Sequence, residues 1–337
     1  MSKIYVMAPF TEAQTEQLKQ LASAYQDELF FSPGKLSMSG LGAALSEEKE
    51  PVSLSEVDAV IGNVPAKRLQ EASAKEALRL SWMQLNSSGA DAYVKEGILP
   101  AGTVLTSATG AYGVGIAEYM VCMLLNMMKK VPAYLEDQKK HLWTDEGMVT
   151  TPFGKRVLVV GCGNIGMEFA GRMRAFGCTL VGIRRREGKC PEEFDEMHTL
   201  PELGEEAAKA DVIALCLPGT PETFHLFDRE LLSSCREGAY LINVGRGNVI
   251  DNRALAEEAI ASRFSGIWLD VCEEEPLPVN DPLYELQNLL LTPHITGGFH
   301  LDLTLQNIFD ISMHNYRAFH GDGDYISVVD RSTGYCR

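Results

Sequence analysis

The 337-residue chain is short of positive charge: 30 Lys and Arg stand against 46 Asp and Glu, a formal net charge of −16 at pH 7. A surface of that sign repels nucleic acid and anionic lipid, so neither is an expected partner. Long apolar runs are missing. Nothing approaches the roughly 20 consecutive apolar residues that span a bilayer, and the opening MSKIYVMAPF has too little apolar length for a secretory leader. Paired cysteines are missing too. The eight cysteines, at 122, 162, 178, 190, 216, 235, 272 and 336, never fall in C-x-x-C. No zinc spacing arises, no metal site is expected, and a disulfide framework does not suit a chain of this size. A reducing cytoplasm is the expected compartment. No internal repeat or low-complexity tract is present. The length exceeds what one core usually supports, so two domains are expected.

What is present is organised around 156–186, RVLVVGCGNIGMEFAGRMRAFGCTLVGIRRR. The β-branched run at 157–160 reads as a buried parallel strand. Gly161, Gly163 and Gly166 follow as G-x-G-x-x-G. Ile165, Phe169, Met173 and Phe176 then recur at helical spacing, Gly177 ends the helix, and 179–183 reads as the next strand. With 30 glycines in the chain the pattern alone is weak; between a strand and a helix, inside a βαβ unit, it is specific. Gly161 permits the tight turn, Gly163 lets the backbone approach a pyrophosphate, and Gly166 lets helix and strand pack closely. The helix N-terminus presents free N–H groups and a positive dipole end to the phosphates. A glycine-rich turn with no ligand is the alternative.

About 20 residues past the glycines, sites that prefer NAD carry an acid that accepts from the ribose hydroxyls. Here that position is Arg184, followed by Arg185 and Arg186, and no acid stands before Glu187. An acid would repel a 2′-phosphate, whereas a guanidinium pairs with it through two hydrogen bonds. NADP(H) is therefore the expected cofactor, with NAD possible. A solvated basic turn is the alternative.

The rest of the chain alternates strands and helices. Ahead of the motif, strands are read at 4–9, 28–32, 57–62 and 78–85, with helices from about Thr11 and at 65–73. Residues 33–56 read as loop with one short helix, and 103–107 as an extended piece leading out of the domain. A helix over 113–130 is apolar nearly all round, so it is buried in the fold or against a second copy. Its methionines (120, 123, 127, 128) and Met148 read as packing. From 155 onward six strands (156–161, 178–183, 211–217, 239–244, 265–271, 289–292), with helices at 204–210, 228–235 and 252–263, give a doubly wound pattern. Proline-rich 273–286 reads as loop. A last helix, about 300–320, has Leu305, Phe309, Met313 and Tyr316 on one face and returns the chain to the first domain. The expected class is α/β, with two Rossmann-like or flavodoxin-like domains and a doubly wound parallel sheet in the nucleotide domain. The substrate domain is expected over 1–101 plus 300–337, and the NAD(P) domain over 102–299.

In open α/β sheets, ligands sit beyond the carboxyl ends of the strands. Arg246 in NVGRGNVID, Glu275 in LDVCEEEPLP and His294 in LTPHITGG each follow a strand there. Singly they could be a surface arginine, one of a solvated acidic run, and a capping histidine. Together they supply what reduction of a 2-keto acid beside a nicotinamide needs. A guanidinium holds the carboxylate and polarises the carbonyl, and an imidazole delivers the proton. A carboxylate on that imidazole fixes its tautomer and favours its protonated form. The turn NSSGAD (86–91) could hold a carboxylate on backbone N–H groups, though such a segment is more often only a turn.

These segments, with GCGNIG (161–166), LPGTPET (217–223), NVGRGNVID (243–251), LDVCEEEPLP (269–278) and TPHITGG (292–298), resemble the D-isomer-specific 2-hydroxyacid dehydrogenases, in particular NADP-type glyoxylate/hydroxypyruvate reductases. The first domain matches more weakly, through NSSGAD and AEYMV. The resemblance implies hydride transfer to a 2-keto acid, with Arg246 binding substrate, His294 as acid/base and Glu275 as its partner. It implies that amides near Ser88 and Gly89 hold the substrate carboxylate. It also implies that Asn164 and Ile165 face the pyrophosphate, and that Pro218, Val244 and Asp270 line the cofactor. A homodimer through the 113–130 helix is implied as well. Cys162, in place of a larger residue, and Arg184, in place of the NAD-type acid, depart from the pattern. Glyoxylate, hydroxypyruvate or pyruvate, or a bulkier keto acid, could be the substrate. A dinucleotide-sensing regulator of corepressor type is the alternative on the same fold.

Overall fold

The computed structural model describes residues 1–32, 51–298 and 301–336, so most of the loop and short helix expected over 33–56 lies outside the described residues. The chain divides into two compact units, Met1–Tyr112 with Gly297–Arg337, and Gly113–Thr296.

The first unit starts with β1 (Lys3–Met7), α1 (Glu12–Tyr25) and β2 (Glu28–Phe31). Thr11 caps α1: its hydroxyl accepts the Gln14 N–H at 3.2 Å while the Gln14 side chain accepts the Thr11 N–H at 3.0 Å. Next come β3 (Ala59–Gly62), α2 (Ala66–Lys75), β4 (Trp82–Gln84) and β5 (Val104–Thr106). The sheet is parallel, in the order β2-β1-β3-β4-β5, the flavodoxin-like order. The strand expected over 78–85 is shorter. The piece at 103–107 does not lead out of the domain, because Trp82, Met83 and Gln84 pair with Val104, Leu105 and Thr106. That pairing holds the chain in the first unit until Tyr112, past the boundary drawn at 101.

The second unit opens with α3 (Gly113–Met128) and α4 (Val131–Lys139), separated by Lys130 in the left-handed region at φ 55°. Met120 and Met128 are buried, but Met148 does not pack: it is 89% exposed in the extended segment after α4. The nucleotide half follows as β6 (Arg156–Val160), α5 (Asn164–Arg174), β7 (Thr179–Arg184), β8 (Glu196–Thr199), α6 (Leu203–Ala207) and β9 (Val212–Leu215). It continues with α7 (Arg229–Ser234), β10 (Ala239–Asn243), α8 (Asn252–Leu255), α9 (Glu258–Ala261), β11 (Phe264–Leu269) and β12 (Leu289–Leu291). Seven parallel strands lie in the order β12-β11-β10-β9-β6-β7-β8. The order reverses between β6 and β9, which is where open α/β sheets bind ligands. Leu158, Val160, Ile213, Leu215, Leu241 and Ile267 are fully buried in this sheet, each worth about 1.5–3 kcal/mol relative to exposure. Burial on both faces is why these strands are continuous apolar runs. β8 has no such signal, since all four of its residues are only half-buried at the edge. The helix expected over 252–263 is two single turns, because Glu257 is extended (φ −71°, ψ 127°).

The chain then returns to the first unit. α10 (Asp302–Phe319) places Phe309, Met313 and Tyr316 in one core with Ile4, Leu18, Ile61 and Trp82. β13 (Val329–Asp330) and β14 (Tyr335–Cys336) close it as a short hairpin. Among the described residues no helix is long and apolar enough to cross a membrane.

Candidate active site

At the carboxyl end of β6, Gly161 turns the chain at φ 102°. A Cβ there would stand 2.7 Å from the Cys216 carbonyl oxygen, so the loops after β6 and β9 touch backbone to backbone. At Gly166 a Cβ would meet the Gly161 carbonyl oxygen at 2.2 Å, whereas at Gly163 it would meet nothing within 4 Å. Gly163 is the extended N-cap of α5, and among the described residues no side chain caps the first turn, which begins with Asn164 and Ile165. A clear glycine surface, free N–H groups and a positive helix end fit a dinucleotide pyrophosphate. Cys162 is a packing group: its thiol donates to the Ile183 carbonyl at 3.5 Å, and burial pushes it up to about 12. Val244 is buried behind the next strand end. The Pro218 carbonyl accepts from the Thr223 hydroxyl at 2.6 Å, which orders 218–223.

The loop after β10 carries Arg246. Asn243, the last residue of β10, accepts the Gly245 N–H and donates to the Arg246 carbonyl, both at 3.0 Å. The Arg246 guanidinium donates to the Gly245 carbonyl at 3.0 Å. At Gly247 a Cβ would lie 1.9 Å from the Cys272 carbonyl carbon, so this loop and the one after β11 are in backbone contact. On the latter, Glu275 accepts the Cys272 N–H at 3.0 Å and the His294 Nδ1–H at 2.8 Å. Burial would raise the Glu275 carboxyl. The hydrogen bond and charge of His294, the Cys272 amide and the Arg246 guanidinium outweigh burial and hold it below the ordinary carboxylate range.

His294 follows β12 with φ 51°, a conformation uncommon outside glycine. Its N–H bonds the Asp270 carbonyl at 2.8 Å and the Thr292 carbonyl at 3.0 Å. Asp270 is 2% exposed, and its carboxylate accepts from the Thr292 hydroxyl (2.6 Å), the Ile295 N–H (3.1 Å) and both the N–H (3.3 Å) and hydroxyl of Thr296. Its side chain therefore holds the histidine loop. His294 Nε2 has no protein partner among the described residues.

Arg184 is the last residue of β7, and its guanidinium donates to the carbonyls of Gly188 and Lys189. Arg185 and Arg186 beside it are exposed. In the first unit, Ser88 and Gly89 form the turn after β4, and their N–H groups donate to no acceptor among the described residues. Glu196, His198 and Glu206 converge within 4.8 Å, but Arg156 bridges the two glutamates, which makes this an ion-pair cluster. The sequence reading misses Asn243 as the brace of the Arg246 loop and Asp270 as the brace of His294. A signal was present: each is a polar residue closing a buried apolar strand, AYLIN and FSGIWLD.

Comparison with known proteins gives concordant results. The family described as D-isomer specific 2-hydroxyacid dehydrogenase, NAD binding domain, matches residues 121–296, just over half the chain. A glyoxylate/hydroxypyruvate reductase of Arabidopsis thaliana is 31% identical over 234 residues, 68% of this chain and 69% of that protein. Glyoxylate/hydroxypyruvate reductase B of Pectobacterium carotovorum is 30% identical over 256 residues, 74% of this chain and 78% of its own. The crystal structure of a D-isomer specific 2-hydroxyacid dehydrogenase family protein from Aeromonas salmonicida has a TM-score of 0.81 at 28% identity. It covers 98% of this chain and 99% of that one.

Proposed function

The chain belongs to the D-isomer-specific 2-hydroxyacid dehydrogenases, oxidoreductases acting on the CH–OH group of donors, and we propose that it uses NADPH to reduce a small 2-keto acid to the D-2-hydroxy acid, and runs the reverse reaction. The observation that carries this reading is the 2.8 Å contact between His294 and Glu275 at the strand ends beside Arg246.

NADPH, when bound, supplies the hydride to the keto carbon. The Arg246 guanidinium holds the substrate carboxylate and draws charge from the carbonyl. His294 Nε2 gives its proton to the oxygen that becomes the hydroxyl, and takes one back in oxidation. Glu275 keeps Nδ1 protonated and steadies the imidazolium between turnovers. Within the first unit, the Ser88 and Gly89 amides hold a carboxylate. Gly161, Gly163, Asn164, Ile165 and Gly166 cradle the pyrophosphate, and Pro218, Val244 and Asp270 flank the cofactor. Arg185, exposed at the end of β7, and Arg184, exchanging its two carbonyl acceptors, pair with the 2′-phosphate. NAD remains a slower alternative.

Two relatives named for glyoxylate and hydroxypyruvate favour those substrates over pyruvate. A homodimer through the 113–130 helix region completes the reading. It is supported by the apolar side chains that follow α3 unburied: Leu142 is 51%, Trp143 105%, Met148 89% and Phe153 74% exposed. The test is turnover of the purified protein, following NADPH absorbance with glyoxylate, hydroxypyruvate, pyruvate and bulkier 2-keto acids. Reduction of at least one to the D-product supports the assignment. NADPH binding with no reduction of any would leave the dinucleotide-sensing regulator.

A further inference from the structure

The turn after β4 is not shaped by its own residues alone. Asn63, the first residue after β3, spans to it with both ends of its carboxamide. Its Oδ1 accepts the Asn86 N–H at 2.7 Å, and its Nδ2 donates to Ser87 Oγ at 2.9 Å. Ser87 Oγ in turn donates to the Gly89 carbonyl at 2.8 Å. Further ties hold the same four residues. The buried Asn86 side chain donates to the Met7 carbonyl at 3.0 Å, and the Tyr112 hydroxyl donates to the Asn86 carbonyl. The Ala108 N–H donates to the Ser87 carbonyl at 2.9 Å, and the Ser88 and Thr109 hydroxyls meet at 3.2 Å. Every tie is neutral. Among the donors the network leaves over are the N–H groups of Ser88 and Gly89, with no acceptor among the described residues.

We propose that Asn63 is the positioning residue of the substrate-carboxylate site, fixing 86–89 so that the Ser88 and Gly89 amides present themselves together to an anion. This rests on the reading above that those amides hold the carboxylate. The residue type follows from the task. One side chain must accept from an amide and donate to a hydroxyl at once, which asparagine does. Aspartate could only accept and would set a negative charge beside an anion site; a hydrocarbon could do neither. Successive N–H groups held in a turn make an anion-binding concavity only while the turn is rigid.

The experiment uses the full chain and its Asn63→Ala variant, with four readouts: keto-acid KM and kcat, NADPH affinity, melting temperature, and amide exchange over 85–90. Expected are a KM higher by about tenfold, kcat changed far less, NADPH affinity unchanged, and faster exchange at 86–89, from the loss of the two positioning hydrogen bonds that Asn63 makes. An unchanged KM despite faster exchange overturns the proposal, as does a KM rise matched by an equal loss of NADPH affinity. Should Asn63→Ala fail to fold, Asn63→Ser, which keeps a hydroxyl for the Asn86 N–H, is read the same way. A wild-type chain that reduces no keto acid refutes the underlying assignment, and this role with it. An active wild type with an indifferent Asn63→Ala refutes the positioning role alone.

Discussion

His294 and Glu275 stand 19 residues apart in sequence and meet at 2.8 Å through Nδ1 and Oε2. A carboxylate only accepts, so the contact keeps a proton on Nδ1 in either charge state of the ring. Nε2 is then the nitrogen left for the proton transfer proposed above. The two residues come from adjacent strand ends, β11 and β12, whose pairing sets their separation.

His294→Ala removes the proposed proton donor and leaves the glycine cradle untouched. Reduction should fall by about 10²- to 10⁴-fold in kcat, the usual contribution of a positioned acid, with NADPH affinity within about twofold of wild type by fluorescence titration. A variant retaining more than a tenth of the wild-type rate would take the acid/base role away from His294.

Glu275→Gln keeps the shape of the contact and removes its charge. The proposed donor loses its carboxylate partner, so kcat should fall. Stability carries a pH signature. The Glu275 carboxyl is held below its ordinary value when folded, so it contributes stability above the unfolded carboxyl value and loses it as pH falls through the folded one. The melting advantage of wild type over Glu275→Gln should therefore be present at neutral pH and vanish in acid. An unchanged kcat, with a melting difference that does not vary with pH, would reduce Glu275 to surface charge.

The glycine loop and the three strand-end residues were legible because local pattern and chemistry coincide there. The apolar run at 157–160 ends in G-x-G-x-x-G, and Arg246, Glu275 and His294 each follow a strand by a few residues. β8 was illegible because an edge strand is half-wet, and Glu196, Met197, His198 and Thr199 show no apolar face. β5 was misplaced because three residues, Val104–Thr106, join the sheet through their pairing with β4 rather than through any pattern of their own. Asn63 was invisible for the same reason. Its partners, Asn86 and Ser87, lie 23 and 24 residues away, and only the neighbouring of β3 and β4 brings them into reach.

Cofactor preference is tested at the end of β7. Arg185→Ala should raise the KM for NADPH by about 10- to 100-fold, the worth of charge-assisted hydrogen bonds to a phosphate, and leave the KM for NADH nearly unchanged. Arg184→Ala should act in the same direction but also loosen 185–189, since it removes donors to the Gly188 and Lys189 carbonyls. Steady-state kinetics with both nicotinamides decides. An equal loss with each would mean that the arginines order the turn without reading the phosphate, and a wild-type preference for NADH would refute the NADP assignment outright.

Asp270→Asn separates holding the histidine from merely filling space. The side chain keeps its volume, but one of its two oxygens becomes an NH2 group, facing either the Thr292 hydroxyl and Ile295 N–H at Oδ1 or the Thr296 N–H and hydroxyl at Oδ2. Losing charged hydrogen bonds of this kind costs roughly 1.5–3 kcal/mol each. In a unit the size of Gly113–Thr296, 1 kcal/mol lowers the melting temperature by about 2–4 °C. With 292–296 slackened, His294 loses the backbone conformation at φ 51° that sets its ring on Glu275. Both melting temperature and kcat should therefore fall, with faster amide exchange at 292–296, while Arg246-dependent substrate KM changes little. His294→Ala, by contrast, should lose kcat at nearly wild-type melting temperature. If Asp270→Asn kept wild-type exchange at 292–296 and still lost activity, the buried carboxylate would be acting on the cofactor side rather than through the histidine loop.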